Sequence, residues 1–332
     1  SLNFYSTGIN KLSNTNNLRT TVVNDIVFNS KDFISNLGLK NDFDLYLKNL
    51  NSAGKKDPLY SSNIQIDGMS ILKFDSALPL SKSTNISRQT LTPKISLRIN
   101  PGNNMDNYST SATNITANNV YDINRLGISD VFEAGRSLTF GFDYKFDLLE
   151  NDISENTKDK YFEIKLATVA RDEFENDIPI SSTINKKNSD IFASINNRLF
   201  NNLDLTYDFS LDNDLKTINS HSISTDISIN NFVTSFNYIE KRNEVGSTHM
   251  LSNVTEYIVN DNTSLKFSTR RNKEINLTEY YDLSYEYKND CLTAALKFKK
   301  TFYQDNDLKP TEDLFFSITL VPLATYETGI KR

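Results

Sequence analysis

The sequence predicts an all-β fold, an antiparallel up-and-down β-barrel that spans a membrane. Apolar and polar residues alternate with a period of two along many segments, short Asn- and Asp-rich turns separate these segments, and no helical period of useful length occurs. A period of two places successive side chains on opposite faces of a strand. We count about 15 or 16 such strands, each of roughly nine to twelve residues.

The clearest predicted strand runs from Ser137 to Asp147, where five apolar residues, four of them aromatic, alternate with polar residues or glycine. The same alternation predicts strands around residues 43–47, 203–211, 223–229, 265–270, 292–298 and 314–320. Asn and Asp tolerate the left-handed backbone conformation that hairpin turns need. Turns such as Asn201-Asn202 and Asn230-Asn231 therefore predict antiparallel neighbours.

Three longer polar stretches interrupt the strands: Asn100 to Asp130, Asn151 to Lys160, and Arg171 to Asn188. We expect them to be loops at one end of the sheet, because every other connection is short. Alternation alone does not say whether the apolar face covers a soluble core or contacts lipid. Charged residues in mid-strand, short turns opposite long loops, and a long meander that must close or curl all favour lipid. A soluble sandwich or β-solenoid is the alternative.

Composition excludes several classes of protein. The formal charge is −6, from 36 Lys+Arg and 42 Asp+Glu, so we expect no nucleic-acid partner. Aromatic residues make up 11% of the chain, which is atypical of disorder. The sequence has no run of about 18 apolar residues, so it predicts no transmembrane helix. The first residues lack a methionine and a signal peptide, so we interpret the chain as a mature protein or a piece of one.

Few residues suggest chemistry. His221 and His249 lie at strand starts beside polar turns, and we interpret them as surface residues rather than as parts of a hydrolase site, because no orienting third partner is placed nearby. The sequence has no metal-ligand spacing and no phosphate-binding Gly loop, so we expect no cofactor, no metal and no catalysis. Cys291 opens a strand after the turn Lys288-Asn289-Asp290, where it is either half-buried or paired with a separate domain.

The stretch from Asn124 to Arg136 resembles a loop of the LPS-assembly outer-membrane protein family, also called the organic solvent tolerance proteins. The residues in register with the family motif are Asn124, Arg125, Asp130, Glu133 and Gly135, and Arg136 follows them. The Arg that follows Asp in the family is Val131 here, and its Gly is displaced to Gly127. We expect Arg125, Asp130, Glu133 and Arg136 to fold toward the lumen and organise it. A solvated external loop is the alternative.

A second stretch resembles the C-terminus of the same family. Cys291 follows an acidic turn, and Asp305 to Pro310 matches an Asp-x-Asp-(Ile/Leu)-x-Pro turn that precedes the closing strand. The Pro-containing Leu91-Thr92-Pro93 is a weaker match. The resemblance covers about residues 88 to 323, which is most of the chain.

The resemblance implies a function. Family members lie in the outer membrane of Gram-negative bacteria as a large barrel behind a periplasmic jellyroll domain. They receive lipopolysaccharide (LPS) from a periplasmic bridge protein and release it sideways among the outer-membrane lipids, and in many members a lipoprotein plugs the barrel. Residues 1–332 would then be the C-terminal part of a barrel domain, without its N-terminal jellyroll domain. Cys291 would form an interdomain disulfide with that domain.

The resemblance also implies a seam between the first and last strands of the barrel. We take Asp313 to Leu323 as the last strand and as one side of the exit, because Pro322 lacks an N–H and removes one hydrogen bond from the ladder. The residues assigned to this candidate exit strand are Asp313, Phe315, Ser317, Thr319, Val321 and Pro322. A porin-like passive channel is the alternative function.

Overall fold

A computed structural model describes residues 1–13, 16–58, 60–102, 114–127, 132–149, 159–175, 178–242, 249–302, 309–320 and 324–331. Within these ranges the chain forms nineteen strands and a single 3-10 turn, Ile180–Ser182. Among the described residues, no helix is long and apolar enough to cross a membrane. The strands are β1 (Leu2–Ser13), β2 (Asn17–Asn29), β3 (Phe33–Ile34), β4 (Lys40–Lys55), β5 (Gln65–Ala77), β6 (Leu80–Ser83), β7 (Ser87–Asn100), β8 (Gly135–Leu148), β9 (Lys160–Arg171), β10 (Ile191–Phe200), β11 (Leu203–Leu211), β12 (Ile218–Ile229), β13 (Phe232–Lys241), β14 (His249–Asn260), β15 (Thr263–Asn272), β16 (Leu277–Lys288), β17 (Leu292–Thr301), β18 (Thr311–Leu320) and β19 (Ala324–Lys331).

Strands that follow each other along the chain pair in antiparallel ladders, as the alternation and the turns predict. The ladder between β7 and β8 runs without a break from Ser87↔Leu148 to Asn100↔Gly135. The ladder between β12 and β13 ends at a two-residue turn in which Asn230 has a positive φ of 51°. Asn reaches this left-handed conformation more readily than most residues. The predicted all-β antiparallel fold is therefore confirmed.

The sheet buries polar side chains and exposes large apolar ones, which is the reverse of what a water-soluble protein does. On β8 the polar Ser137 and Thr139 are buried, whereas Leu138 and Phe140 beside them are 36% and 47% exposed. The same holds on the paired strand β7, where Arg98 is buried and Leu97 is exposed. Soluble proteins bury large apolar side chains and expose charged ones. This distribution is typical of strands whose apolar face contacts lipid.

The chain divides into two compact units. The first comprises residues 1–149, 163–194 and 210–218, and it contains the buried core. The second comprises residues 150–162, 195–209 and 219–332. Core residues of the first unit come from the polar face of its strands, from the connection between β4 and β5, and from described residues of the connections after β7 and after β9. They are Leu50, Tyr60, Met69, Ile71, Ile115, Ala117, Val120, Leu126, Phe132, Ala134, Ala167, Val169, Ile178, Ile184 and Phe192.

The predicted strand number was too low. Two of the nineteen described strands, β3 and β6, are short segments that pair with the same partner as the strand before them. The predicted strand length was also too short, since β4 has 16 residues. A break in a long strand interrupts the period of two, so alternation alone does not join or count such segments correctly.

The predicted last strand is not the last one. Residues 313–320 belong to β18, which pairs with a further strand, β19, from Asp313↔Lys331 to Leu320↔Ala324. Tyr326 and Ile330 are the only large apolar residues of β19, so its alternation is weak. Val321 and Pro322 lie outside the described residues, between β18 and β19 in the sequence.

The expectation that the three long loops share one end of the sheet is wrong. The connections after β7 and after β9 lie at one end, and the connection after β8 lies at the other. Successive connections of an antiparallel meander must alternate between the two ends, so Asn151 to Lys160 cannot share an end with its two neighbours.

Candidate functional site

The connection between β7 and β8 folds back onto the polar face of the first unit. We call its described residues, 114–127 and 132–134, the inner loop. Consecutive turns shape it: Val120 N–H donates to Thr116 O at 3.1 Å, and Asp122 N–H donates to Asn119 O at 3.0 Å. The side chain of Asn119 also accepts the N–H of Thr116 at 2.8 Å. Asn side chains stabilise turns in this way, which explains the Asn-rich composition of the loop.

Apolar residues anchor the inner loop. Val120, Leu126 and Phe132 are all almost fully buried. The Phe132 ring lies 4.6 Å from the Tyr46 ring of β4, and the Lys48 ammonium lies 5.1 Å from the centre of the Phe132 ring. Burial of three large apolar side chains is worth about 1.5–3 kcal/mol each, which favours the folded-back position of the loop.

Arg125 forms the centre of the site. Its Nε donates to Glu133 Oε2 at 2.7 Å, and its Nη2 donates to Glu133 Oε1 and to Ser137 Oγ. Its Nη1 donates to Thr139 Oγ1 at 3.0 Å and to Val120 O at 3.3 Å. A guanidinium has five N–H groups, and all five have partners here. Arg125 thus joins the inner loop to the polar face of β8.

Glu133 connects a second buried arginine to the first. Arg171, at the end of β9, donates through Nη2 to Glu133 Oε1 and through Nη1 to Ala134 O at 2.9 Å. Its Nε donates to Ile184 O, so the connection after β9 joins the same network. The side chains of Arg125, Glu133 and Arg171 are at most 3% exposed. Glu133 is thus a buried carboxylate that accepts hydrogen bonds from two guanidiniums, as the burial of a charged group requires.

A third arginine holds the loop from β7. Arg98 donates through both Nη atoms to the carbonyl oxygens of Asp122 and Ile123. Asn100, two residues further, donates to Glu133 O at 3.0 Å. Burial lowers the pKa of Arg125 to about 9, which still leaves it cationic at neutral pH. Two buried arginines, Arg125 and Arg171, thus bind Glu133, and the third, Arg98, binds backbone carbonyls of the inner loop.

Tyr121 of the inner loop contacts β7 and β8 at a different place. Its ring is 5.6 Å from the Lys94 ammonium, and its buried hydroxyl has no hydrogen-bond partner among the described residues. Burial, and after it the negative charge of Asp143, raises the pKa of this hydroxyl. Gly141 of β8 makes room for it, since a Cβ there would lie 2.7 Å from Tyr121 OH and would collide with Leu166 O.

The structure brings together some of the residues that the sequence singled out. Arg125 and Glu133 form the buried pair, and Gly135 has a φ of +80° that only glycine adopts without strain. The Asn124 carbonyl accepts the Gly127 N–H at 3.1 Å. Arg136 is exposed and pairs with Asp172 at 2.6 Å, away from the buried pair. Asp130 lies outside the described residues.

Sequence reasoning missed Arg98, Asn100 and Arg171. They lie 25 to 46 residues from Arg125 along the chain, so no local motif includes them. The signal that was available is their position: each lies at the end of a strand, on its polar face, beside a long connection.

Ion pairs line the remainder of the polar face of the first unit. Lys48 contacts Asp25 at 2.7 Å, Lys73 contacts Asp75, and Lys94 contacts Asp143. These lysines and aspartates neutralise each other on the polar face.

The candidate exit residues lie on β18. Asp313, Phe315, Ser317 and Thr319 alternate with apolar residues and therefore share one face of the strand. The register places this face beside Lys297 and Lys299 of β17. The Phe315 ring covers Gly329 of β19, where a Cβ would lie 2.6 Å from the ring.

Cys291 is an exposed free thiol immediately before β17. Asn289 shapes the turn, since its side-chain oxygen accepts the backbone N–H groups of Cys291 at 3.0 Å and Leu292 at 2.8 Å. Among the described residues no group of three or more His, Cys, Asp or Glu side chains is arranged to hold a metal. The buried network has its donors already paired, so it is suited to holding a loop in place rather than to bond chemistry.

Comparison with known proteins identifies the family. The sequence model of LptD, LPS transport system D, matches residues 33–266, which is more than half of the chain. The match includes the inner loop, the three arginines and Glu133. A search of curated proteins found no match. The C-terminal stretch of the resemblance lies beyond the match. The predicted family is confirmed, and the chain belongs to the LPS transport system D family, whose members transport and assemble lipopolysaccharide at the outer membrane.

Proposed function

We propose that this protein receives LPS from a periplasmic bridge protein and releases it sideways into the outer leaflet of a Gram-negative outer membrane. The observation that carries the proposal is the separation of the two faces of the sheet. The polar face holds neutralised ion pairs, and the apolar face exposes Leu138, Phe140 and their neighbours. LPS needs both environments, because dehydrating its sugars and hydrating its acyl chains are both costly.

In this proposal the inner loop controls the path of the headgroup. It covers the polar face of the first unit. Arg125 and Arg171 fix it there through Glu133, and Arg98 fixes it through two backbone carbonyls. A loop fixed by buried pairs is expected to keep a single position until a substrate displaces it. A porin-like passive channel has no need for such a fixed cover, so the network favours transport.

The C-terminal hairpin is the proposed exit. Because β19 follows β18, we place one side of the exit on the hairpin of β18 and β19 and not on residues 313–323 alone. Asp313, Phe315, Ser317 and Thr319 would then line the polar side of this hairpin, with Val321 and Pro322 between its two strands.

The remaining parts of the proposal concern regions beyond this chain. Residues 1–332 would form the C-terminal part of a barrel that follows a periplasmic jellyroll domain. Cys291 would form a disulfide with that domain, which is supported by its exposure and by its position in a short turn between β16 and β17. An outer-membrane plug lipoprotein would be a further partner.

Cross-linking tests the exit. A cysteine pair that joins β19 to the first strand of the complete barrel should block delivery of LPS to the cell surface under oxidising conditions, and reduction should restore it. A matched pair that joins β16 to β17, which are already adjacent, should have no effect. Normal delivery with the β19 cross-link fully formed would contradict sideways release at this hairpin.

A further inference from the structure

Both histidines of the chain contact one carboxylate in the second unit. His221 Nε2 lies 2.7 Å from Glu240 Oε2, and His249 Nε2 lies 2.8 Å from Glu240 Oε1. The register explains the arrangement, because Glu240 of β13 is directly opposite His221 of β12 and His249 of β14. Tyr238 OH also donates to Glu240 Oε2 at 2.8 Å. This carboxylate is fully engaged by its neighbours.

Among the described residues, more Arg and Lys side chains lie near Glu240 than its single negative charge can neutralise. Arg242 contacts Glu240 at 3.3 Å and is more than half exposed. The backbone N–H of Lys273 donates to the backbone oxygen of His249 at 2.7 Å. The Lys273 ammonium lies 5.4 Å from the centre of the Tyr238 ring. Arg271 is directly opposite Leu251, the residue two positions after His249. We call His221, Glu240, Arg242, His249, Arg271 and Lys273 the rim cluster. Among the described residues at this end of the strands, Arg242, Arg271 and Lys273 outnumber the carboxylates Glu240 and Glu274.

The rim cluster lies on the apolar face of the sheet. The register continues from His221 and Glu240 to the pair Ile223 and Tyr238, and then to Thr225 and Phe236. Ile223 and Phe236 are both exposed. Side chains on alternate residues share a face, so the charged groups stand directly beyond a surface of aliphatic and aromatic side chains.

The cluster lies at only one end of this face. It borders the connections after β13 and after β15, whereas the two-residue turns Asn230-Asn231 and Asp261-Asn262 lie at the other end. On the same strands, the residues of this face near the tight turns are Ile229, Phe232, Tyr257 and Leu265. In outer-membrane barrels the short turns lie in the periplasm and the longer loops outside. We orient the chain in the same way, which rests on the function proposed above. The cations then lie at the level of the outer-leaflet headgroups.

We propose that the rim cluster binds the phosphate-bearing headgroup of an outer-leaflet lipid, with the acyl chains of that lipid on the apolar face below. Arg and Lys are the side chains that recognise phosphate, and the order of cation, aromatic ring and aliphatic side chain along the strand matches the order of phosphate and acyl chain in such a lipid. The site is on the outer wall and separate from the polar face along which LPS would be carried.

The experiment uses the absence of tryptophan from the chain. A single Trp at Leu251, beside the cluster, reports lipids at this site, and a single Trp at Leu296 of β17 reports the same face away from it. The intact protein is reconstituted in brominated phosphatidylcholine, which quenches Trp, and is titrated with unbrominated lipid A carrying both phosphates. Recovery of fluorescence then measures the binding of lipid A relative to phosphatidylcholine at each position.

The proposal predicts that lipid A binds about tenfold more tightly at Leu251→Trp than at Leu296→Trp. The triple variant Arg242→Gln/Arg271→Gln/Lys273→Gln should abolish this preference, and the control Lys297→Gln/Lys299→Gln, on the polar face, should retain it. If the triple variant does not fold, the single variant Lys273→Glu replaces it. Lys273 lies in an exposed turn, and this substitution should weaken the preference for lipid A. Equal binding at both reporters, or a preference that survives the triple variant, would overturn the proposal.

Further titrations identify the source of the phosphate. Lipid A without phosphates should show no preference, and a preference that remains would overturn the proposal. Equal preference for phosphatidylglycerol would support the site and assign it to phospholipid, and competition by inorganic phosphate would support recognition of the phosphate alone. LPS delivery is measured with the two Trp reporter proteins, whose rim cluster is intact. Reporter proteins that show the lipid preference but deliver no LPS count against the proposed function only, and reporter proteins that deliver LPS but bind lipid A equally at both positions count against the rim cluster only.

Discussion

Replacing Glu133 by Gln should release the inner loop from the polar face. The substitution keeps the shape of the side chain but removes the carboxylate that joins Arg125 and Arg171, whose side chains are 0% and 1% exposed. Removing one partner of a buried ion pair typically costs about 3–5 kcal/mol, because the other charge remains buried and unpaired. The strand ladders do not depend on this pair, so we expect the cost to appear in the loop and not in the sheet.

Hydrogen exchange read by mass spectrometry measures this effect. At about 1.4 kcal/mol per factor of ten, amides of residues 114–127 should exchange at least about 100-fold faster in Glu133→Gln, with little change in β14 and β15. Arg136→Gln is the matched control, since its exposed pair with Asp172 is worth only about 0–1 kcal/mol. If the amides of the inner loop exchange at the same rate in Glu133→Gln and in Arg136→Gln, Glu133 is not the residue that fixes the loop.

Three further predictions address packing, lipid contact and the thiol. Gly141→Ala should destabilise the inner loop by about 1–3 kcal/mol, because its Cβ would collide with Tyr121 and β9. A Cβ at Gly68 meets no atom within 4 Å, so the control Gly68→Ala should leave the stability unchanged, and thermal unfolding measures both variants. Phe140→Lys should cost about 2–4 kcal/mol in urea unfolding from lipid vesicles, and an unchanged midpoint would mean that this face does not contact lipid. Cys291 should react rapidly with a maleimide in this chain and only after reduction in the complete protein; rapid reaction without reduction there would argue against the disulfide.

The strands could be predicted from the sequence because their signal is local. Alternation between Ser137 and Asp147 follows directly from the pleat of one strand, and that strand is β8. β19 gives a weak signal, since Tyr326 and Ile330 are four residues apart. It is held as a strand by its ladder with β18, a partner that residues 324–331 alone do not reveal.

The candidate site could be predicted only in part. Arg125 and Glu133 are eight residues apart and were recognised from a motif. A solvated external loop remained the alternative for the long Asn-rich connection, because its buried anchors Val120, Leu126 and Phe132 follow no regular spacing. Arg98 and Arg171 reach the site through strand register, and register depends on the whole sheet. Long-range pairing therefore limits what a local reading of the sequence can find.

The central claim is that LPS headgroups move along the polar face while the apolar face contacts lipid. A photo-crosslinking amino acid at Thr92, which pairs with Asp143 on the polar face, tests it against the same amino acid at Ile95 on the apolar face. The claim predicts adducts with LPS at position 92 that appear only while LPS is being supplied from the periplasm, and adducts at position 95 that do not depend on that supply. No LPS adduct at position 92 during active delivery would contradict it.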